Sequence, residues 1–121
     1  MSDSVLRTKS KEFAKEIVFI CRDLKRSGIE SALTSQLLRC GTSVGANIHE
    51  AQYAQGTKDF ISKFEIALKE SNETSYWLKL MFETKRIDNA TYQYTEKLCG
   101  NIRRLLIASC KTAKENANDK K

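Results

Sequence analysis

The chain has 121 residues, with 21 Lys and Arg against 15 Asp and Glu, and a net charge of +6. This length fits one domain with its own core. The sequence contains no Pro, five Gly and many helix-forming residues. This composition predicts an all-α fold and argues against a sheet. No apolar run approaches the roughly 20 residues of a membrane span, and the first residues lack a signal-peptide hydrophobic region. We therefore expect a cytoplasmic protein without a membrane partner.

Three turn signals divide the chain into four segments: Ser27-Gly28, Gln55-Gly56 and the residues around Ile87. Gly56 is predicted to end the second helix, Thr57 to cap the third and Asp88 to cap the fourth. Such short connections force neighbouring helices to run antiparallel, so we predict one domain, 1–121, folded as an antiparallel up-down-up-down four-helix bundle. The predicted helices cover residues of about 3–27, 30–54, 57–85 and 88–115, followed by a frayed tail at 116–121.

Each predicted helix carries apolar residues at spacings of three and four, which place them on one face. In the first helix these residues are Leu6, Phe13, Ile17, Ile20 and Leu24. In the second they are Leu33, Leu37, Cys40, Val44, Ile48 and Ala51. In the third they are Phe60, Phe64, Ala67, Leu68, Ser71, Leu78 and Phe82. In the fourth they are Tyr94, Leu98, Ile102, Leu105 and Ser109.

The four cysteines form no C-x-x-C pair, and one His cannot complete a usual zinc set. We therefore predict buried free thiols, which behave as small hydrophobes.

The third helix carries a second apolar set, Ile66, Trp77 and Leu80, which we call the tryptophan stripe. Its spacing is helical and places it away from Phe64 and Leu78, so it is predicted to be exposed. An exposed stripe that contains a tryptophan is typical of an interface, and we predict that it lies at a contact in a homo-oligomer. The alternative is that Trp77 folds back over the edge of the bundle.

The second helix contains an unusual segment, residues 36–51, which we call the signature segment. Gly41 and Gly45 lie inside the predicted helix, where each Gly costs about 1 kcal/mol relative to Ala. We predict that another backbone approaches them closely and that they lie near the oligomer contacts. On the other flank lies a polar strip of Ser43, Asn47 and Glu50. Glu70 and Glu73 of the third helix are its predicted hydrogen-bond partners.

The signature segment resembles that of the four-helix bundle proteins first noticed as products of intervening sequences in large-subunit ribosomal RNA genes. The matching residues of the second helix are Gln36, Leu37, Arg39, Ser43, Val44, Ala46, Asn47, Ile48, Glu50 and Ala51. Those of the third are Lys58, Asp59, Phe60, Phe64, Ile66, Ala67, Leu68, Ser71 and Glu73. Within the match, a structural role is expected for Arg39, Ser43, Asn47, Glu50 and Glu73. Gly41 and His49 depart from the pattern, which usually has Ala or Ser there.

The resemblance implies a small cytosolic bacterial protein that assembles into a cyclic pentamer. One branch of that family is the accessory protein of diversity-generating retroelements, a basic pentameric barrel that associates with nucleic acid and a reverse transcriptase. The family supplies a fold and an assembly, and no settled biochemical activity for its other members.

The excess positive charge lies at the two ends of the chain. Residues 1–29 and 88–121 each hold seven Lys or Arg and four acids, and the middle is neutral. The first basic stripe consists of Lys11, Lys15, Arg22 and Arg26. The second basic stripe consists of Lys97, Arg104 and Lys111. Such stripes can bind phosphates of RNA or DNA, and we see no aromatic or amide side chains among them that could read bases. The alternative is a solvated face, or one that pairs with acids of a neighbouring subunit.

Catalytic patterns are missing from the sequence. His49-Glu50 begins like H-E-x-x-H, but Tyr53 occupies the place of the second His. The single His leaves no triad, and no Gly-rich phosphate loop occurs. We predict no enzyme activity, no catalytic or metal-binding residue, no cofactor and no small-molecule substrate. Two hypotheses remain: an accessory protein that binds nucleic acid, and a protein-interaction scaffold ring that does not.

Overall fold

The computed structural model describes residues 2–28 and 30–119, with side chains for 4–28 and 30–118. The helices are α1 (Ser2–Arg26), α2 (Ser31–Ala51), α3 (Thr57–Glu83) and α4 (Asn89–Asp119). Each helix packs against its neighbour in sequence, and α4 also packs against α1. Between α1 and α2, Ser10 lies against Gly45, while Cys21 donates to the carbonyl oxygen of Thr34. The start of α1 thus meets the end of α2, so these two helices run antiparallel. The predicted four-helix bundle is confirmed.

The core confirms most of the predicted apolar faces of α1, α2 and α3. All five predicted residues of α1 are buried. In α2 the predicted residues are buried except Leu33, which is half-buried. In α3, Phe60, Leu68 and Phe82 are half-buried, while Thr74 and Met81 are buried and were not predicted. These three helices therefore meet along faces that their sequence spacing identifies.

The predicted face of α4 is partly wrong: Ile102 is buried as predicted, but the rest of the buried row lies about one position away. The buried residues are Thr95, Cys99, Ile102, Leu106 and Cys110. Tyr94 is 48% exposed, and Leu98 and Leu105 are half-buried on the flank. The prediction followed the larger apolar side chains, whereas the small Cys99 lets α4 approach α3 closely enough for its thiol to reach the carbonyl oxygen of Ser71 at 3.3 Å. The buried row of α4 thus combines the small residues Thr95, Cys99 and Cys110 with Ile102 and Leu106.

All four cysteines are free and buried, as predicted. Burial raises the pKa of the Cys21 thiol to about 11, and that of Cys99 also to about 11. At neutral pH both are therefore protonated and act as apolar core side chains.

Two helix ends differ from the prediction. The second helix ends at Ala51, so Gly56 (φ 137°) precedes α3 instead of ending α2, and Thr57 is the first helical residue. The backbone N–H of Gln55 donates to a carboxylate oxygen of Asp59 at 3.1 Å.

In contrast, the cap of the fourth helix is as predicted. The Thr91 N–H donates to Asp88 at 2.7 Å, and this bond holds the pKa of the Asp88 carboxyl below its usual value. This helix continues to Asp119, so residues 116–119 are helical rather than frayed. Lys120 and Lys121 lie outside the described residues.

The two glycines of the signature segment face α1 of the same chain. A Cβ atom at Gly41 would lie 2.8 Å from Cγ1 and Cγ2 of Ile17, and one at Gly45 would lie 3.3 Å from the carbonyl oxygen of Ser10. The predicted approach of another backbone is confirmed at Gly45, where it is the backbone of α1, whereas Gly41 meets the side chain of Ile17. Gly41 is buried, and its missing side chain leaves room for Ile17 inside the bundle. The location of the two glycines near contacts between subunits stays a prediction.

Replacing Gly41 with Ala is expected to lower the free energy of unfolding. The added Cβ overlaps the stiff, buried side chain of Ile17, at a cost of about 1–3 kcal/mol. This cost exceeds the gain of up to about 1 kcal/mol from removing a helical glycine. The control is Gly100→Ala, where the nearest atom to the new Cβ is the mobile Arg104 guanidinium at 3.7 Å. That variant should gain stability in urea unfolding. If the free energy of unfolding changed in the same direction in both variants, this result would contradict the role of Gly41.

Candidate nucleic-acid interface

Both predicted basic stripes lie on the surface. All four cations of the first basic stripe and all three of the second are exposed. On α1 the stripe points away from the buried row that contains Phe13 and Ile17, and on α4 away from the row that contains Ile102 and Leu106. Spacings of four and seven residues keep each stripe on one side of its helix. The bundle therefore presents each as a continuous line of positive charge.

The ion pairs of the described residues use other cations. They join Arg39 to Glu70 and Glu73, Arg86 to Glu30, Arg103 to Glu96, and Lys114 to Glu65. Among residues 4–28 and 30–118, no cation of either basic stripe has a carboxylate within ion-pair distance. The charge of the stripes is thus not neutralised by direct pairing with any side chain that the structure describes.

On α4, the cations that have partners on α3 and the cations of the second basic stripe lie on different faces of the helix. Arg103 and Lys114 point towards α3: Arg103 donates to Ser75 at 3.2 Å, and Lys114 donates to Glu65 at 3.0 Å. Arg104, one residue from Arg103, points outward and donates only to Asn101 of its own helix. The sequence analysis did not single out Arg103. The signal for its role was Glu96, which lies seven residues earlier on the same side of the helix.

Glu12 and Glu16 of α1 lie beside Tyr94 of α4. Tyr94 of α4 donates its hydroxyl to Glu12 at 3.3 Å. Partial burial and the nearby Glu12 raise the pKa of the Tyr94 hydroxyl. These two acids therefore lie on the side of α1 that faces α4, whereas the cations of the first basic stripe are exposed to solvent.

An aromatic side chain accompanies the first basic stripe, contrary to the prediction. The guanidinium carbon of Arg22 lies 5.1 Å from the ring centroid of Phe19, which is 46% exposed. A cation over an aromatic face at this distance is attracted by the ring quadrupole. Phe19 could not be identified from the sequence pattern, because it belongs neither to the apolar face of α1 nor to the first basic stripe. It lies three positions before Arg22.

The signature segment is held to α3 by Arg39. Its guanidinium donates to Glu70 at 3.1 Å and to Glu73, and its Nε donates to Gln36 at 3.3 Å. The Glu73 hydrogen bond and both carboxylates raise the pKa of Arg39. Glu73 also accepts the Trp77 indole N–H at 3.2 Å, and this bond, with Arg39, lowers the pKa of Glu73. One surface network thus joins α2 to α3.

The predicted partners of the polar strip are wrong. Asn47 donates to the carbonyl oxygen of Ser43 at 2.9 Å within its own helix, and Glu50 is exposed. Glu70 and Glu73 bind Arg39 instead, because the long Arg side chain spans the space between helices that a short Asn or Ser side chain does not cross.

The tryptophan stripe is only partly exposed. Trp77 is half-buried and packs against the core, with its indole N–H fixed by Glu73. Leu80 is half-buried, Ile66 is 39% exposed, and the adjacent Tyr76 is 63% exposed. Trp77 therefore does cover the edge of the bundle, and the remaining apolar surface centres on Ile66 and Tyr76. The contact between subunits stays a prediction.

No helix within residues 2–28 and 30–119 is long and apolar enough to cross a membrane. The same part of the chain contains no group of three or more His, Cys, Asp or Glu residues arranged to hold a metal ion.

These features define a small helical bundle that has two exposed basic faces and in which the Arg39 network joins α2 to α3. The chain belongs to the 23S rRNA-intervening sequence protein family, whose sequence pattern matches residues 2–108. It is also similar to a crystal structure from Bacteroides thetaiotaomicron, described as a protein with unknown function from the S23 ribosomal protein family. The two share 45% identity over 92% of this chain and 99% of that one, with a TM-score of 0.89. No curated protein matches the sequence.

Replacing Arg39 with Met is expected to lower the free energy of unfolding at pH 7, because Glu70 and Glu73 lose their shared cation. The pKa of Glu73 is lower in the folded protein than its unfolded value near 4.3. The stabilisation that ionised Glu73 contributes is therefore present above pH 4.3 and is lost as the pH falls through the lower pKa of the folded state. The difference from wild type in urea unfolding should therefore shrink at pH 3. Arg104→Met, which removes an unpaired cation, is the control and should change little at either pH. An equal loss for Arg39→Met at both pH values would contradict the network.

Proposed function

We propose that this protein is a non-enzymatic, homo-oligomeric accessory protein that binds nucleic-acid phosphates through its two basic stripes. One observation carries the proposal: all seven stripe cations are exposed and lack an ion pair among the described residues, whereas Arg39, Arg86, Arg103 and Lys114 are paired. Lys69 and Lys79 of α3 are also exposed. The stripe cations differ from them in their regular spacing of four and seven residues along one side of α1 and of α4.

The binding would be driven by phosphate contacts. Lys and Arg that neutralise phosphates release condensed counterions, and this release supplies most of the non-specific affinity. Contacts of this kind position a strand without reading its sequence. The proposal therefore concerns RNA or DNA as a polyanion.

An oligomer would strengthen such contacts. The exposed Ile66 and Tyr76 on α3 support a contact between copies, because exposed apolar surface of this kind is typical of interfaces. A ring repeats both basic stripes once per subunit, so weak contacts act together at high effective concentration. The resemblance to pentameric proteins supports five as the number of subunits.

The second basic stripe can be tested directly by changing Lys97, Arg104 and Lys111 to Gln. Affinity for a labelled RNA or DNA should fall, and the slope of log affinity against log salt should flatten, because fewer counterions are released. Changing Lys58, Lys69 and Lys79 of α3 to Gln removes the same charge elsewhere and should have a smaller effect. Equal losses in the two triple variants would argue against a defined face. Failure of the wild type to bind at low salt would favour the scaffold instead.

The oligomer can be tested by light scattering at micromolar concentration. We expect a particle of about five times the 13.8 kDa chain mass. Ile66→Asp places a charge on the proposed contact and should reduce the mass, because burying an unpaired carboxylate is unfavourable. Ile107→Asp changes another exposed apolar residue (52% exposed, on α4) and is the control. A wild-type mass of one chain would refute the oligomer.

A further inference from the structure

A groove of about 310 Å³ lies between the N-terminal half of α1 and the C-terminal half of α2. The small residues Ala14, Gly45 and Ala46 line it. Larger side chains at these positions would fill the space between the two helices, so the groove results from the same short residues that let the helices approach. Its volume lies at the lower end of the range for small-ligand sites, which begins near 300 Å³.

Positive charge and hydrogen-bonding groups meet at this groove. Arg7 and Lys11 line it from α1, and His49 and Gln52 line it from α2. Arg7 donates to the Gln52 side-chain oxygen at 2.6 Å, which fixes its guanidinium and leaves its other N–H groups available. None of the described residues that line the groove is a carboxylate. The groove is therefore suited to an anionic ligand.

An exposed aromatic ring stands beside the groove. Tyr53 is 71% exposed, and its ring centroid lies 5.5 Å from that of His49, with the planes tilted by 59°. This position leaves most of the Tyr53 ring free to pack against a flat ligand. Such packing on aromatic faces is how single-stranded nucleic acids bind without sequence preference. Residues 45 positions apart along the chain thus combine a cation, an amide and an aromatic ring.

The geometry points to this groove as a subsite for one unpaired nucleotide of a single-stranded RNA or DNA. Arg7 and Lys11 bind the phosphate, and Tyr53 stacks on the base. Lys11 also belongs to the first basic stripe, so a strand that follows the stripe reaches the groove. This inference rests on the proposed function and sharpens it, because bases in a duplex are stacked on each other and cannot enter the groove.

The test compares fluorescence anisotropy of the full chain with labelled oligo(dT) and oligo(rU) of about 20 nucleotides, long enough for several contacts, and with a duplex of equal length. Ala46→Leu fills the groove and should weaken binding of both single strands about tenfold, while the duplex affinity changes little. Ala32→Leu makes the same change at an exposed site at the other end of α2 and should bind like wild type. Thermal melts by circular dichroism verify that both variants fold.

Substitutions at Tyr53 separate stacking from charge. Tyr53→Leu should weaken single-strand binding about tenfold without altering its salt slope, whereas Tyr53→Phe keeps the ring and should bind like wild type. Lys11→Gln should instead flatten the salt slope. Wild-type affinity for single strands in both Ala46→Leu and Tyr53→Leu would overturn the groove assignment while leaving the stripes intact. No binding of either single strand or duplex by the wild type would overturn the proposed function as well.

Discussion

The contact of Ile17 with Gly41 sets the distance and the rotation of α1 against α2, and the surface features of both helices follow from it. Because successive residues on a helix are about 100° apart, placing Ile17 against α2 turns Lys15 and Arg22 to solvent. Gly45, one turn further along α2, lies against the Ser10 backbone and also lines the groove. A side chain at position 41 would separate the helices, and the groove and the direction of the first basic stripe would change with it.

The cations of the bundle fall into two groups that lie on different faces of the helices. Arg39 and Arg103 lie across helix junctions and are bound to carboxylates or hydroxyl groups of α3. The cations of the two basic stripes lie on outward faces, free of such partners among the described residues. Exposed ion pairs add little stability individually, so the junction pairs act mainly to orient the helices. The unpaired cations contribute nothing comparable to the fold, which leaves them available for a polyanion.

The sequence predicted the fold class, the number of helices and the buried faces of α1 and α2, because apolar spacing and helix breakers are local signals. It also predicted that Gly45 admits a close backbone. It misplaced the face of α4, because the neighbouring Leu98 and Cys99 are both suited to a core and only packing chooses between them. It could not find the groove, since Arg7 and Gln52 meet only when α1 and α2 lie antiparallel. The partner of Arg39 likewise depends on which residues of α3 lie opposite.

We propose above that the cations of the two basic stripes, and not the exposed lysines of α3, contact nucleic acid. Lysine acetylation read by mass spectrometry, with and without a saturating single-stranded RNA, measures this site by site. The account predicts that RNA protects Lys11, Lys15, Lys97 and Lys111, which belong to the basic stripes, while Lys69 and Lys79 on α3 react as before. Protection confined to α3, or spread evenly over all lysines, would contradict it.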